Sequence, residues 1–146
     1  MTTNLLSDLN MAKKILESTD SSLVAVRNSR IWRFRGQGIE PLYSLVMYHK
    51  ADLTGAALAD KVMGAAAAYL VLNTGIGAVY ARTMSMRAKM LLDDKMIRVE
   101  AQQLVEVILN RAQSASCPME ILTANIQTPT AALEAIGEQL KKWTSG

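Results

Sequence analysis

The spacing of apolar residues along the chain predicts an alternation of helices and strands. Residues 4–17 repeat leucine, isoleucine and alanine at helical spacing, which predicts an amphipathic helix. Two short segments, 23–26 and 30–35, are rich in β-branched and aromatic residues, flank a turn-forming Asn-Ser pair and predict a β-hairpin. Pro41 then lies where a proline suits the first turn of a further short helix.

The second half of the chain continues this alternation, with one ambiguous stretch over 102–116. We expect an alanine-rich helix over 60–72, a strand over 78–83, a helix from Ser85 to about Lys95 with Met86, Met90 and Leu91 facing inward, a strand over 97–101, a helix over 117–125, and a last helix from Pro129. Helices that alternate with strands predict the α/β class, here a three-layer α/β/α fold with a mixed sheet. Residues 1–146 then form one domain, with the helix of residues 1–18 packed on it.

Composition narrows the class of protein. The chain has 146 residues, 50% of them hydrophobic and 20% charged, which suits a globular core. The net charge of +3 is mild and indicates no dedicated nucleic-acid protein. A single cysteine excludes an internal disulfide, and no apolar run is long enough to span a bilayer. We therefore expect a cytoplasmic protein without a signal peptide.

Three segments carry a resemblance to a known family. They are SLVAVRNSRIWRFRGQGIEPL, GAALADKVMGAAAAYL and SCPMEIL. Together they resemble a small bacterial family of unknown function with the cytidine-deaminase-like fold. That resemblance implies two helix N-termini that face each other across a pocket, and it allows a homodimer.

The zinc ligands of true deaminases are missing from these segments. Such enzymes begin one helix with His-x-Glu or Cys-x-Glu and another with Pro-Cys-x-x-Cys. Here the resemblance implies Ala59-Asp60-Lys61 at the first position and Cys117-Pro118-Met119-Glu120 at the second. With one histidine and one cysteine, the chain lacks the three ligands that a catalytic zinc site needs. We expect no metal and no cofactor; a mixed Asp60, Cys117 and Glu120 metal site is the less favoured alternative.

Cys117 is the candidate catalytic residue. Pro118 favours the first helical position, so Cys117 is expected to cap that helix, where the helix N-terminus favours a thiolate. The structural alternative is a half-buried cysteine at a helix start, with Glu120 as a capping-box acceptor. No histidine base is identifiable beside Cys117, which favours the structural alternative.

Further residues are candidates for ligand binding. Asp60 and Lys61 are expected to open the central helix, as a cap and a solvated lysine or as part of a ligand pocket. Parallel strands line ligand crevices at their carboxyl ends. Arg82 and Thr83, at the end of a predicted strand, are therefore also expected near the pocket. Asn110 and Arg111, just before the helix that starts at Cys117, have the same status, and each of the four is equally well explained as a loop residue.

The predicted hairpin is rich in arginine. Arg33 and Arg35 are expected on one face of a strand and Trp32 and Phe34 on the other. This layout would allow arginines to bind phosphates while aromatic rings stack on bases. It also suits a half-buried edge strand whose charges prevent aggregation, which is the favoured interpretation.

Three functions remain open from the sequence. The first is a domain that binds a small polar or nucleotide-like molecule in the former deaminase pocket. The second is a thiol-dependent enzyme that uses Cys117. The third is a non-catalytic interaction module with weak phosphate or nucleic-acid binding through the hairpin. No membrane is expected as a partner, and nucleic acid is not the favoured one.

Overall fold

The computed structural model describes residues 2–110, 112 and 114–145. Helices and strands alternate along this part of the chain. In order they are α1 (Thr2–Ser18), β1 (Leu23–Arg27), β2 (Arg30–Phe34), α2 (Glu40–His49), a short 3₁₀ helix (Lys50–Leu53), β3 (Ala57–Met63), α3 (Ala65–Leu72), β4 (Ala78–Ser85), α4 (Met86–Asp94), β5 (Arg98–Val105), α5 (Pro118–Thr123) and α6 (Pro129–Ser145).

The strands form one mixed sheet in the order β2-β1-β3-β4-β5. Strand β1 pairs antiparallel with both β2 and β3, while β3, β4 and β5 run parallel. The predicted α/β class with an N-terminal hairpin is therefore confirmed. The hairpin turn has positive φ at both central residues, 48° at Asn28 and 73° at Ser29, and such turns match the natural twist of paired strands.

Helices cover both faces of the sheet. On one face, α1 packs Leu9, Ala12 and Leu16 against alternate residues of β1, β3 and β4. On the other face, the remaining helices build a larger core over the opposite set of strand residues, such as Leu58 and Val79. This alternation places Asp60, two residues after Leu58, on the same face as the larger core.

The predicted helix over 60–72 is wrong in its first third. Residues up to Met63 belong to β3, and α3 begins only after Gly64. The Asp60–Met63 stretch is short and adjoins the alanine-rich helix, and periodicity over so few residues does not separate a strand from a helix. Its strand conformation is decided by pairing, because Asp60 is opposite Leu23 of β1 and Ala81 of β4. Asp60 and Lys61 therefore lie on a strand and do not open the central helix.

The bounds of the other helices and strands differ less from the prediction. Strand β4 extends to Ser85, whose hydroxyl accepts from the Ala88 N–H at 3.1 Å and caps α4 as predicted. The prediction that Met86 and Met90 face inward is wrong, since both are exposed and the buried positions of α4 are Ala88 and Leu92. Within the described residues, no helix combines the length and apolar character needed to cross a membrane.

Candidate functional site

A cavity of about 870 Å³ opens beside the carboxyl end of β3. This volume lies in the range of about 300–1,000 Å³ that is usual for small-molecule sites. Its wall combines the end of β3, the starts of α3 and α5, the segment after the hairpin, and one residue of α6. The polar residues that line it are Asp20, Ser22, Arg35, Gln37, Asp60, Lys61, Asn110, Cys117 and Glu120.

Asp60 and Lys61 reach the cavity from β3. Asp60 lies in the middle of the sheet, opposite Leu23 of β1 and Ala81 of β4. Lys61 follows it, and its backbone N–H donates to the Ser22 carbonyl at 3.4 Å. Both residues are partly exposed, and both line the cavity. The structure therefore brings the predicted pair to the pocket by a different element from the one expected.

Glu120 connects the two helix starts. Its Oε1 accepts a hydrogen bond from the Ala65 N–H at 2.7 Å, across 55 residues of sequence. Gly64, which precedes α3, supplies no capping side chain of its own. A Cβ added at Gly64 would overlap Glu120 Oε1, so only glycine fits against this carboxylate. Glu120 thus acts as the cap of α3, and the expected capping of its own helix is not observed.

Cys117 occupies the predicted N-cap position of α5, directly before Pro118. It is half-buried and lines the cavity, and its thiol makes no capping hydrogen bond. The backbone of Cys117 still begins the helix, because the Cys117 carbonyl accepts hydrogen bonds from the N–H groups of Glu120 and Ile121. The thiol therefore remains available to a molecule in the cavity.

The two carboxyl groups of the cavity differ from ordinary surface acids. Burial raises the pKa of Asp60 from 3.8 to about 7, although hydrogen bonds from the backbone N–H groups of Val62 and Lys61 oppose the change. Burial also raises the pKa of Glu120, opposed by the Ala65 N–H, the Arg87 charge and the Ala66 N–H. Perturbed acids inside a cleft are typical of functional sites, although structural networks produce them as well.

The other predicted ligand-binding residues are divided between the cavity and other surfaces. Asn110 lines the cavity. Arg82 and Thr83 do not, because β4 continues past them to Ser85 and they are not at its end. Arg82 instead binds Glu17 of α1 at 3.1 Å, on the opposite face of the sheet. Arg111 lies outside the described residues.

Trp143 of α6 also lines the cavity, a position that the sequence pattern does not predict. Its exposed fraction is 51%, unlike that of the core residues on the same helix. Arg35 was assigned only to the hairpin, and it pairs with Asp20, another residue of the cavity wall, at 3.3 Å.

A family model described as "Domain of unknown function (DUF1893)", TM1506, matches residues 11–140. The chain belongs to the DUF1893 family. The match extends from α1 into α6 and includes all five strands, so the predicted membership of a family of unknown function is confirmed. A search of the curated proteins gives no match.

A solved DUF1893 structure is similar along most of the chain. It is the crystal structure of a DUF1893 family protein (TM1506) from Thermotoga maritima at 2.70 Å resolution. The TM-score is 0.85 at 24% sequence identity, covering 91% of this chain and 90% of that chain. At this level of identity, the likeness shows a shared fold and nothing further about chemistry.

The arginines of the hairpin in this DUF1893 chain are held by its own acidic residues. Arg30 pairs with Asp52 at 3.4 Å and stacks over Trp32, while Arg33 and Arg35 both contact Asp20. Trp32 is buried in the larger core. Because β2 is an edge strand and its central aromatic residue faces inward, the hairpin lacks an exposed Trp32 ring on which a base would stack.

No metal-binding cluster forms among the residues that the structure describes. No group of three histidine, cysteine, aspartate or glutamate side chains there is close enough to hold an ion. Asp60, Cys117 and Glu120 share the cavity wall without forming such a group. The alternative of a mixed metal site therefore has no support from the geometry.

Proposed function

We propose that this protein binds a small polar, nucleotide-like molecule in the cavity beside β3. The observation that carries the proposal is the shared wall: Asp60, Lys61, Cys117 and Glu120 all line one cavity of about 870 Å³. Mixed polar and apolar walls of this size are typical of small-molecule sites. Gly36, Ile39, Leu42, Ala66 and Met119 are among the less polar residues that complete the wall.

The proposal includes a cytidine-deaminase-like fold that has lost its zinc site. The meeting of two helix starts supports it, since Glu120 of α5 binds the first N–H of α3. Because α3 begins after Gly64, the helix start that a deaminase would use for a ligand and its catalytic glutamate is Gly64-Ala65-Ala66 here. These residues offer no metal ligand, so this helix start is further from a deaminase zinc site than the resemblance of the sequence segments implies.

A retained ligand is the most direct test. Native mass spectrometry of the purified protein is expected to show an added mass of a few hundred daltons, and added ligand is expected to raise the melting temperature. If neither a retained mass nor any stabilising small molecule is found across nucleosides, nucleotides and related heterocycles, the proposal is refuted.

A matched pair of variants locates the binding. Val62 lines the cavity and is 49% exposed, whereas Val107 is 48% exposed and does not line it. Val62→Trp is expected to block binding, and Val107→Trp is expected to leave it unchanged. Both substitutions are at exposed positions, so the core should tolerate them equally. Equal binding by the two variants would place the ligand elsewhere.

A second candidate function is thiol chemistry at Cys117. It is favoured by one observation, the position of the thiol in the cavity wall without a capping hydrogen bond. In that case Cys117 should react with iodoacetamide near neutral pH faster than a free peptide thiol, and bound ligand should slow the reaction. A rate equal to that of the peptide would exclude this candidate and leave ligand binding untouched.

We also propose a cytoplasmic location and a bacterial origin. The single cysteine supports the first, because secreted proteins of this size commonly rely on disulfides. The Thermotoga maritima relative supports the second. Fractionation of cells that express the protein tests the location, and recovery outside the cytosolic fraction would contradict it.

A further inference from the structure

The charges in the cavity wall are not equally available to a ligand. Arg35 is paired with Asp20 at 3.3 Å, and Glu120 is held by the first N–H of α3. Lys61 also lines the cavity, and within the described part of the chain it forms no salt bridge. Of the two cationic residues in this wall, Lys61 is therefore the one without an ion-pair partner among the residues that the structure describes.

The wall also contains an aromatic surface. Among the described residues, Trp143 is the only aromatic side chain that lines the cavity, and it is half-exposed. An indole that keeps about half its surface open offers a face on which a flat ring can stack. Small side chains, Ala66 and Ala67, line the wall at the start of α3 and leave space in the cavity.

We propose that the cavity takes a ligand with two parts, a negatively charged phosphate or carboxylate that pairs with Lys61 and a flat unsaturated ring that packs on Trp143. This inference rests on the proposed function and specifies the class of molecule. Asp60 would oppose an anion only in its ionised form. Burial raises the pKa of Asp60 to about 7, so its neutral form is well populated near neutral pH.

Matched pairs of small molecules test the inference by titration calorimetry. Each pair has the same ring with and without the charge: nucleoside 5′-monophosphates against their nucleosides, and nicotinate against nicotinamide. At least one charged member is expected to bind about tenfold or more tightly than its neutral partner. If the tighter ligand is a nucleoside monophosphate, the anion is a phosphate. If it is nicotinate, the anion is a carboxylate.

Two variants assign the parts of the ligand to residues. Lys61→Met is expected to remove the preference for the charged member, while Lys95→Met, at an exposed lysine after α4, keeps it. Trp143→Ala is expected to weaken both members of a pair by a similar factor, about tenfold. Circular dichroism and urea unfolding verify that each variant is folded, and the half-exposed position of Trp143 makes loss of the fold an unexpected result.

The outcomes separate this inference from the proposed function. Binding with no preference for charge, or a preference that survives Lys61→Met, would refute the inference and leave a ligand-binding cavity. The same holds if the purified protein retains a molecule that has neither a charge nor a ring. If no member of either set binds and no molecule is retained, both the inference and the proposed function fail.

Discussion

Replacing Asp60 by asparagine should stabilise the protein in alkaline solution. A carboxyl group in the middle of the central strand is costly when ionised, because it has lost much of its hydration and two backbone N–H groups only partly offset that loss. An asparagine has nearly the same shape, stays neutral, and keeps a carbonyl oxygen as hydrogen-bond acceptor.

The size and sign of the expected change in the free energy of unfolding follow from the pKa of Asp60. It is raised from 3.8 in the unfolded chain to about 7 in the folded protein, a difference of about three units, and each unit corresponds to about 1.4 kcal/mol. Because the folded-state pKa is the higher one, the protonated carboxyl favours the fold. That contribution is complete below about pH 4 and is lost as the pH rises through 7. Asp60→Asn should therefore gain up to about 4 kcal/mol at pH 8 and almost nothing at pH 4.

Urea unfolding followed by circular dichroism between pH 4 and pH 8 measures this difference. Asp94→Asn is the control, because Asp94 is exposed at the end of α4 and its substitution should change stability by less than about 0.5 kcal/mol. Glu120 also has a raised pKa, so some loss of stability with rising pH should persist in Asp60→Asn. A variant no more stable than wild type at pH 8, or equally stabilised at both pH values, would refute the reasoning.

Four further substitutions test contacts that hold the site and its scaffold. Gly64→Ala should displace the carboxylate of Glu120 and cost about 1–3 kcal/mol in urea unfolding. In a double-mutant cycle, Glu120→Ala should cost about 1–2 kcal/mol alone and almost nothing when Gly64→Ala is already present; additive costs would contradict the shared contact. Ser85→Ala should cost about 1 kcal/mol through loss of the α4 cap, whereas no change would show that the hydroxyl is dispensable. Asp8→Ala should cost about 1–3 kcal/mol, because the Asn28 N–H loses its acceptor at 2.9 Å, and faster exchange of that amide hydrogen should accompany the loss.

Features that depend on neighbouring residues were predictable from the sequence. The Asn28-Ser29 turn determines the hairpin, and Ser85 and Cys117 were identified as helix caps from the residues that follow them. The local chemistry of a turn or a cap is contained in a few consecutive positions, and the structure follows it there.

Features that depend on distant parts of the chain were not predictable in the same way. The change from β3 to α3 at Gly64 is decided by strand pairing on both sides of β3, which the segment itself does not reveal. Arg82 is a second example. Its side chain pairs with Glu17 of α1, and the residues around Arg82 in the sequence do not reveal that contact. The contact from Glu120 to Ala65 and the presence of Trp143 in the cavity wall also require the tertiary fold.

The cap that Glu120 provides makes one backbone amide a reporter of motion in the cavity wall. Helix α5 has only six residues and is too short to persist in isolation, so its position depends on contacts such as this one. Each time α5 separates from α3, the Ala65 N–H loses its acceptor and can exchange with solvent deuterium. The exchange rate of this single proton, measured with and without a bound molecule, therefore gives the fraction of time for which the wall is open and the degree to which a bound molecule closes it.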